Sequence, residues 1–464
     1  MNKTVNYLFL FILGLFFSCN QQGGNKNKGE KEIITWSEHI APIIYKNCTP
    51  CHRPGQSGSF ALMNYADAVK KSALIKFVTQ SHYMPPWPAN LNYSHFIGER
   101  VLSADEIKEI KVWSESGNLR GDTTHEAKAP AFFKESCFGK PDLTIRAKEA
   151  VELKGNGSDA FLIIKFPYHI DKDTIVDFVE FVPHQRKLVH HVNGHLISYD
   201  AKRSFNYMSG QSMHSDTRAQ LMAVYQNMHI PYTDALSPRF PTLTPNTVYY
   251  LPGYLPPSYP DEVGGYHFKK NGLFLLNNIH YGPSNKDVLD SSYINVFYRK
   301  TPIKRPIVET QLGTFGMTSI EPEFIIPPNK IKTFLTRSTL PKDISLLSVN
   351  PHMHLIGKSF WAFALKPNGD TIPLIKIDKW DFRWQYYYTY KHPLKIEKGS
   401  TIFVYGTYDN RNENPFNPFH PARTITQGNG VESMKTSEEM FQFIFTYVPY
   451  RPGDEKIDLE RKSL

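Results

Sequence analysis

Two cysteines and a histidine stand together in the C-T-P-C-H run from Cys48 to His52. Thiols three positions apart can bond to the two vinyl groups of one haem, and the histidine that follows can ligate its iron. A redox dithiol or half of a zinc site would use the same two cysteines. The remaining cysteines, Cys19 and Cys137, form no second pair that could complete a zinc site. The motif therefore predicts one covalently attached haem c, bound through Cys48, Cys51 and His52.

A sixth ligand for this iron is predicted in the segment Tyr83–Pro88, whose sequence is Y-M-P-P-W-P. The thioether of Met84 lies among prolines, which stiffen the backbone around it. Ligation by a histidine and a methionine raises the haem potential. His82 and His95 are rival ligands, and a methionine that only fills the core is the structural alternative. We expect Met84 to be the ligand.

Histidines also cluster in the second half of the chain. His190 and His191 are adjacent, His280 precedes a Tyr-Gly pair, and His352 and His354 are two positions apart. Residues two apart on a strand project to the same face, so His352 and His354 could bind one ion. Adjacent residues project to opposite faces and could share an ion only where the strand twists or bulges. Spacing alone leaves both metal ligation and ordinary hydrogen-bonded or surface histidines open.

Two helices are predicted around the C-x-x-C-H motif. The segment 36–44 reads as a helix that leads into the motif, and a second helix opens after Ser103 and runs to Trp113. Ser103 followed three residues later by Glu106 is the capping-box pattern of a helix start. Two helices around such a motif resemble a small class I cytochrome c, so we expect an all-α haem domain here.

From Asp142 onward the sequence predicts short strands broken by turns. Aromatic residues make up 14% of the chain and there are 34 prolines, a mixture that favours strands and irregular loops over helix bundles. Helical periodicity is scarce, so β-sandwiches are the natural class, and the length is enough for two domains of roughly 150 residues. Clear strand candidates are 161–166, 174–182, 273–276, 293–297 and 401–405.

The histidines in this strand-rich background resemble those of the copper type II ascorbate-dependent monooxygenases, the family of peptidylglycine α-hydroxylating monooxygenase and dopamine β-monooxygenase. That family has two jelly-roll-like β-sandwich domains, each with one copper beside an open cleft. Its first copper takes an adjacent His-His pair and a His in a His-Tyr-Gly context. Its second takes a His-x-His and a Met in an acidic segment. The resemblance implies His190, His191 and His280 as ligands of the first copper, and His352, His354 and Met440 as ligands of the second.

The resemblance also implies a division of labour between the two sites. The site of His352, His354 and Met440 would be catalytic, the place where O2 meets a substrate C–H bond, and the His190 site would store and deliver the second electron. A His₂Met set suits Cu(I), whereas catalytic zinc prefers nitrogen and oxygen ligands. Ascorbate supplies the electrons in the animal family. Here the haem of the same chain could supply them, in turn fed by an ascorbate-like reductant or a periplasmic redox protein.

Two other functions stay open from the sequence. One is a haem/copper electron-transfer protein, oxidase or reductase without hydroxylase activity. The other is a metal-binding surface lipoprotein with a structural or sensing role. The segments 380–385 and 408–418 also resemble bacterial family members that carry a cytochrome c domain in front, and we expect them to serve packing and turns only. No substrate carries over, because none of the family's substrate-binding residues has a recognisable counterpart, and the chain lacks the cysteines for the animal enzymes' disulfides.

The N-terminus predicts export and a lipid anchor. Residues 1–18 combine Lys3 with an apolar run that is too short to span a bilayer, and they end at Cys19 in a context that resembles a lipoprotein box. The sequence therefore predicts a protein of the bacterial cell envelope that is lipid-anchored at Cys19. Lys and Arg exceed Asp and Glu only by 53 to 44, with no basic patch, so nucleic acid is not an expected partner.

The predicted organisation is mainly β, with two jelly-roll-like β-sandwich domains after a small all-α class I cytochrome c domain. Cys137 is expected to be structural. The predicted boundaries are a signal peptide at 1–18, a flexible tether at 19–32, the haem domain at 33–122, a linker at 123–135, the first copper sandwich at 136–300 and the second at 301–464.

Overall fold

The computed structural model describes residues 33–132, 136, 138–199, 206–214, 221–230, 242–254, 256, 259–261, 263–428 and 436–460. The predicted signal peptide and tether, the lipidation site Cys19, and Cys137 lie outside the described residues. No described helix is long and apolar enough to cross a membrane.

Helices occupy the first part of the chain, and the first strand begins only at Leu143. Both predicted helices are present. Ser103 caps the second one, and Glu106 completes the capping box that its spacing predicted. The rings of Trp36 and Trp113 are fully buried and meet 6.1 Å apart, which holds the first and last helices together. The helices are a π-helix Trp36–Ile40 that runs into α1 Ala41–Asn47, then α2 Tyr65–Val69, α3 Ser72–Gln80 and α4 Ala104–Glu115.

Residues 123–132, predicted as part of a linker, pack against this helical layer. The indole Nε1 of Trp36 donates to Glu126 Oε1 at 2.9 Å. The guanidinium of Arg53 lies 3.6 Å from the centroid of the Phe132 ring. A buried indole that needs an acceptor is a physical reason for this segment to stay close to the helices.

The first sandwich consists of two antiparallel sheets with strand orders β1-β11-β4-β8 and β6-β3-β9-β5-β7, and a short β10-β2 pair. Apolar side chains of both sheets, such as Phe181 and Leu276, share one buried core. The elements are β1 Leu143–Arg146, β2 Val151–Leu153, β3 Ala160–His169, β4 Thr174–Val182, β5 Val189–Tyr199, β6 Met213–His214, α5 Leu221–Asn227, β7 Thr242–Tyr250, β8 Tyr266–Phe268, β9 Asn271–Tyr281, β10 Val288–Asp290 and β11 Tyr293–Tyr298.

The second sandwich pairs the sheets β12-β21-β15-β18 and β14-β19-β16-β17, with a short β13-β20 pair. Its core is rich in aromatic rings, for example Phe360 and Phe441 at 5.9 Å. The elements are β12 Val308–Gly313, β13 Ile325–Ile326, β14 Ile331–Thr339, β15 Ile344–His352, β16 Gly357–Leu365, β17 Thr371–Ile377, β18 Tyr388–Ile396, β19 Thr401–Asp409, β20 Ile425–Thr426, β21 Gln442–Pro449 and a final 3₁₀ turn Asp454–Lys456.

The mainly β class is confirmed, and the five strand candidates fall within β3, β4, β9, β11 and β19. The segment 408–418 is a packing element, as predicted. The buried amide of Asn410 donates to the carbonyl oxygens of Ile326, Pro327 and Arg423 at 2.9–3.0 Å. These bonds hold three loop segments together at one end of the second sandwich.

Candidate metal centres and haem cavity

A β-bulge brings the adjacent histidines of β5 to one place. The pairing of β5 with β9 shifts register between Val189 and His191, and His191 lies opposite His280. The His190 ring is 4.7 Å from the His280 ring, and the His191 ring is 5.1 Å from it. Adjacent residues of a regular strand would point to opposite faces, so the bulge at His190 is what allows this arrangement.

Asp159 also belongs to this group, although no motif in the sequence predicted it. Its Oδ1 accepts a 2.8 Å hydrogen bond from His280 Nε2. One carboxylate oxygen of Asp159 and one ring nitrogen each of His190 and His280, the atoms that could bind a metal ion, all lie within 4.8 Å of one another. The other ring nitrogen of His280, Nδ1, is buried without a hydrogen-bond partner among the described residues. A buried orphan nitrogen on a histidine whose second nitrogen is held by a carboxylate is the usual arrangement of a metal ligand.

The second histidine pair lies at the end of a strand. His352 is the last residue of β15 and His354 lies in the turn that follows, so the pair does not share a strand face as the spacing argument assumed. Their rings are nevertheless 5.1 Å apart at 87°. His354 Nδ1 donates to the carbonyl oxygen of Glu438 at 2.7 Å, a bond that fixes the orientation of the ring.

The segment that carries Met440 is fixed beside His354. The buried carboxylate of Glu439 accepts from the backbone N–H of His354 at 2.9 Å and of Ile356 at 2.8 Å. The Tyr408 hydroxyl donates to the Met440 carbonyl oxygen at 2.6 Å. The structure therefore brings all three predicted ligands of the second site into one neighbourhood, with the Met440 side chain 9% exposed.

Burial lowers the pKa of several of these imidazoles. It lowers the pKa of His280 to about 4 and that of His352 to about 3. It also lowers the pKa of His191 well below the usual value, with further lowering by the neighbouring histidines of both groups. A neutral imidazole keeps a lone pair for a metal ion at neutral pH.

The turn Trp380–Gln385 connects the two histidine groups, whereas the sequence analysis gave it no role beyond packing. The Phe382 ring contacts His191 at 5.9 Å and His354 at 5.7 Å, both edge to face. The Trp380 indole donates to the His354 carbonyl oxygen at 3.2 Å. The Gln385 side chain hydrogen bonds with His352. The two sandwiches are thus joined through Phe382 at the point where the resemblance predicted an open cleft.

A cavity of about 470 Å³ lies where the helical layer meets both sandwiches. This volume falls within the range of about 300–1,000 Å³ typical of ligand pockets. Its lining includes every residue predicted to hold the haem, namely Cys48, Cys51, His52 and Met84.

The cavity suits an iron-bound dianionic haem. His52 Nδ1 donates to the Phe60 carbonyl oxygen at 3.1 Å, which leaves Nε2 for iron. Arg100, Lys187 and Arg383 bring positive charge to the lining, and none of the described lining residues is an aspartate or glutamate. These cations complement the two propionate groups that a haem carries.

The alternatives for the motif and for the sixth ligand fit less well. Burial raises the pKa of Cys48 to about 12, whereas a reactive redox dithiol needs a lowered value. Met84 lines the cavity, but His82 and His95 do not. His95 instead lies 3.3 Å from the carboxylate of Glu99. Among the three candidates, Met84 alone therefore lines the cavity that also contains Cys48, Cys51 and His52.

The cavity borders the first histidine group directly, because His190 belongs to its lining. Pro252, in the loop after β7, lines it from the first sandwich, and the next residue, Gly253, lies against Cys51. Its φ is +77°, and a Cβ there would come within 2.7 Å of Cys51 Sγ, so only glycine allows this approach. Arg100 donates to the Gly253 carbonyl oxygen and ties the helical layer to the same loop.

A comparison with known protein families matches part of the second sandwich. Residues 312–418 match the C-terminal domain of the copper type II ascorbate-dependent monooxygenases. The matched range contains His352, His354 and the turn Trp380–Gln385, and it ends before Met440. Copper is the metal of that family. None of the curated proteins matches this chain.

Two solved structures give weak overall likenesses. The structure of PNGF-II is 10% identical over 66% of this chain and 65% of that chain, with a TM-score of 0.21. The infectious bursal disease virus VP2 subviral particle is 8% identical over 72% of this chain and 87% of that chain, with a TM-score of 0.15. This chain thus spans 65% of the PNGF-II chain. Likeness at these TM-scores supports no inference about fold or function.

Proposed function

We propose that this protein is a copper-dependent monooxygenase that hydroxylates a C–H bond of an organic substrate with O2, with electrons entering through a haem c in the same chain. One spatial relationship carries the proposal: a continuous row of contacts leads from the cavity to both histidine groups. His190 lines the cavity, and Phe382 contacts both His191 and His354.

The donor sets fit two copper ions. The neutral imidazoles need no deprotonation before they bind a metal. A set of two histidines and a methionine is soft enough for Cu(I), the state that reacts with O2. Copper supplies one-electron chemistry with O2 when it is bound. The first ion would be held by His190, His191 and His280, with Asp159 orienting His280, and the second by His352, His354 and Met440.

The cavity residues fit one covalent haem. Cys48 and Cys51 would attach it, and His52 and Met84 would hold its iron. When bound, it supplies single electrons at the raised potential that His/Met ligation produces. The source of these electrons would be an ascorbate-like reductant or a periplasmic redox protein.

The reaction balances with two external electrons. A substrate R–H and O2 with two electrons and two protons give R–OH and water. The contribution of the chain is to hold both donor groups against Phe382 and to place His190 at the wall of the haem cavity. Electrons delivered one at a time to the haem can then reach the side where substrate is oxidised.

The predicted place of this reaction is the bacterial cell envelope, with the mature protein lipid-anchored at Cys19. Export suits the chemistry, because C-x-x-C-H haem attachment occurs in exported proteins. Growth with labelled palmitate, followed by purification of wild type and of Cys19→Ala, tests this anchor. Label in wild type and none in the variant supports it, and label in neither overturns it.

Isotope incorporation tests the proposed reaction. Copper-loaded holoprotein is incubated with a small-molecule extract of the source cells, ascorbate and O2 enriched in heavy oxygen, and products are read by mass spectrometry. We expect label in at least one organic product with wild type and none with His352→Ala. If no product gains label while both metals and haem are bound, the electron-transfer alternative replaces hydroxylation.

A further inference from the structure

The segment 83–97, here called the strap, connects α3 to α4 in sequence but belongs to the second sandwich in space. Ala89 and Phe96 are 5% and 6% exposed, and both lie in the aromatic-rich core of that sandwich. Trp87 packs on the same core. The Phe96 ring lies 5.0 Å from Tyr388.

Backbone bonds attach the strap to the sheets of that sandwich. Ala89 forms an antiparallel bridge with Ile377, on the edge strand β17, and Asn90 N–H donates to the Lys376 carbonyl oxygen at 2.8 Å. Further along, Ile97 N–H donates to the Thr389 carbonyl oxygen at 2.8 Å. The strap therefore covers an otherwise open sheet edge, which explains why it holds its position.

Side chains of the second sandwich also hold the strap on both sides of Met84. Before it, the Tyr83 hydroxyl accepts from Arg383 Nη1 at 2.9 Å. After it, the Pro86 carbonyl oxygen accepts from the Tyr386 hydroxyl at 3.1 Å. The Trp87 ring packs 5.5 Å from the Tyr386 ring. The Met84 N–H also donates to the Val78 carbonyl oxygen of α3 at 3.1 Å, so the segment that carries Met84 is held by both the helical layer and the second sandwich.

The opposite wall of the cavity has a different origin. Cys48 and His52 follow α1, and Leu62 N–H donates to the His52 carbonyl oxygen at 2.8 Å within the helical layer. His52 thus takes this bond within the helical layer, whereas the segment around Met84 also bonds to the second sandwich through Arg383 and Tyr386.

We propose that Tyr386 and the strap are positioning elements for Met84, so that coordination of the haem iron by Met84 depends on docking of the strap to the second sandwich. The inference rests on the proposed haem but requires neither copper nor hydroxylation. It also links the two kinds of site: Gln385, the neighbour of Tyr386, bonds with His352.

Competition by imidazole tests the strength of the Met84–iron bond. The ferric holoprotein is titrated with imidazole, and loss of the methionine-to-iron charge-transfer band is followed by absorbance. One hydrogen bond contributes about 1 kcal/mol, so Tyr386→Phe should raise the apparent affinity for imidazole about fivefold. Tyr387→Phe is the matched control, because its hydroxyl bonds to Glu309 and Thr446 rather than to the strap.

A second variant acts far from the cavity. Asp378→Ala removes the acceptor of the Asn90 side chain at the surface, and it should raise the imidazole affinity in the same direction. Equal imidazole affinities in wild type, Tyr386→Phe and Asp378→Ala would overturn the inference. An equal change of that affinity in Tyr387→Phe would overturn it too. A wild-type protein that binds haem but lacks the band would also overturn it. The titration is independent of copper content and product formation, so a failed hydroxylation assay leaves its outcome readable.

Discussion

Phe382 meets His354 edge to face with ring centroids 5.7 Å apart, and its ring also meets His191 at 5.9 Å. One side chain therefore contacts a predicted ligand of each copper site. The turn around it also carries Gln385, which bonds with His352, so one turn of the second sandwich contacts residues of both histidine groups. The proposed route of electrons between the two histidine groups depends on this contact.

Removing the Phe382 ring should slow electron delivery to O2. Displacement of reacting groups by about 1 Å costs on the order of 100-fold in rate, so we expect Phe382→Ala to slow reoxidation of the ascorbate-reduced haem by O2 about 10- to 100-fold. Stopped-flow absorbance of the haem measures this rate. Copper content should stay unchanged, because Phe382 supplies no donor atom.

Phe416→Ala is the matched control for this variant. Phe416 belongs to the same sandwich but is 57% exposed and lies outside the predicted sites. We expect its reoxidation rate to equal that of wild type. A rate for Phe382→Ala that also equals wild type would show that the ring contact has no part in electron delivery.

Asp159→Asn should weaken the first metal site selectively. The carboxylate orients His280 through a 2.8 Å bond, and loss of such a partner typically costs 10–100-fold in metal affinity, so we expect a decrease of about that size. Chelator competition on the His352→Ala background isolates this site. Asp173→Asn, at an aspartate paired with Lys269 on the surface, should leave the affinity unchanged. An equal loss in both variants would contradict a specific role of Asp159.

Cys51→Ser should abolish double thioether attachment of haem. In Cys51→Ser only one vinyl group could bond, and in the double variant Cys48→Ser/Cys51→Ser neither could. Extraction into acidified organic solvent measures this, because it removes haem that is not covalently attached. We expect the double variant to release all its haem and wild type to release none. Cys137→Ser, outside the motif, should behave as wild type. Haem retention by the double variant would exclude attachment at these cysteines.

Lys165 should make the free energy of unfolding depend on pH in the alkaline range. Its side chain is 1% exposed and donates to the carbonyl oxygens of Ser209 and Met228. Burial and the charge of Lys148 lower its pKa from 10.5 to about 8. Between these values the unfolded chain binds more protons than the native one, so the free energy of unfolding rises with pH, by up to about 1.4 kcal/mol per unit.

Denaturant unfolding from pH 7 to 10.5 checks this slope. We expect Lys165→Met to lose it, because the substituted side chain carries no proton. Lys379→Met, at an exposed lysine, should keep the wild-type slope. Parallel pH profiles for wild type and Lys165→Met would mean that Lys165 does not titrate in this range.

Local features of the sequence were sufficient for the capping box at Ser103 and the strand candidates, because each depends on neighbours within a few residues. The condition for the histidine pair could also be stated in advance, namely that adjacent His190 and His191 need a bulge. The position of this bulge could not be stated in advance, because the register shift arises from pairing with β9, which lies far along the chain.

Two parts of the candidate site had no signal in the sequence. Asp159 reaches His280 because β3 pairs with β9 and sets Phe161 opposite His280, which brings the residue before the strand alongside. Phe382 acquires its role only when the two sandwiches meet. Both contacts join residues distant in sequence, and no spacing rule describes such contacts.

Electron paramagnetic resonance on haem-loaded, copper-reconstituted protein tests the central claim most directly, with metal and haem counted in the same sample. The account predicts two mononuclear type 2 Cu(II) signals per haem in wild type, one of which is lost in His352→Ala while the other persists. Protein that binds haem but gives no copper signal, or that holds zinc at these histidines, would contradict it.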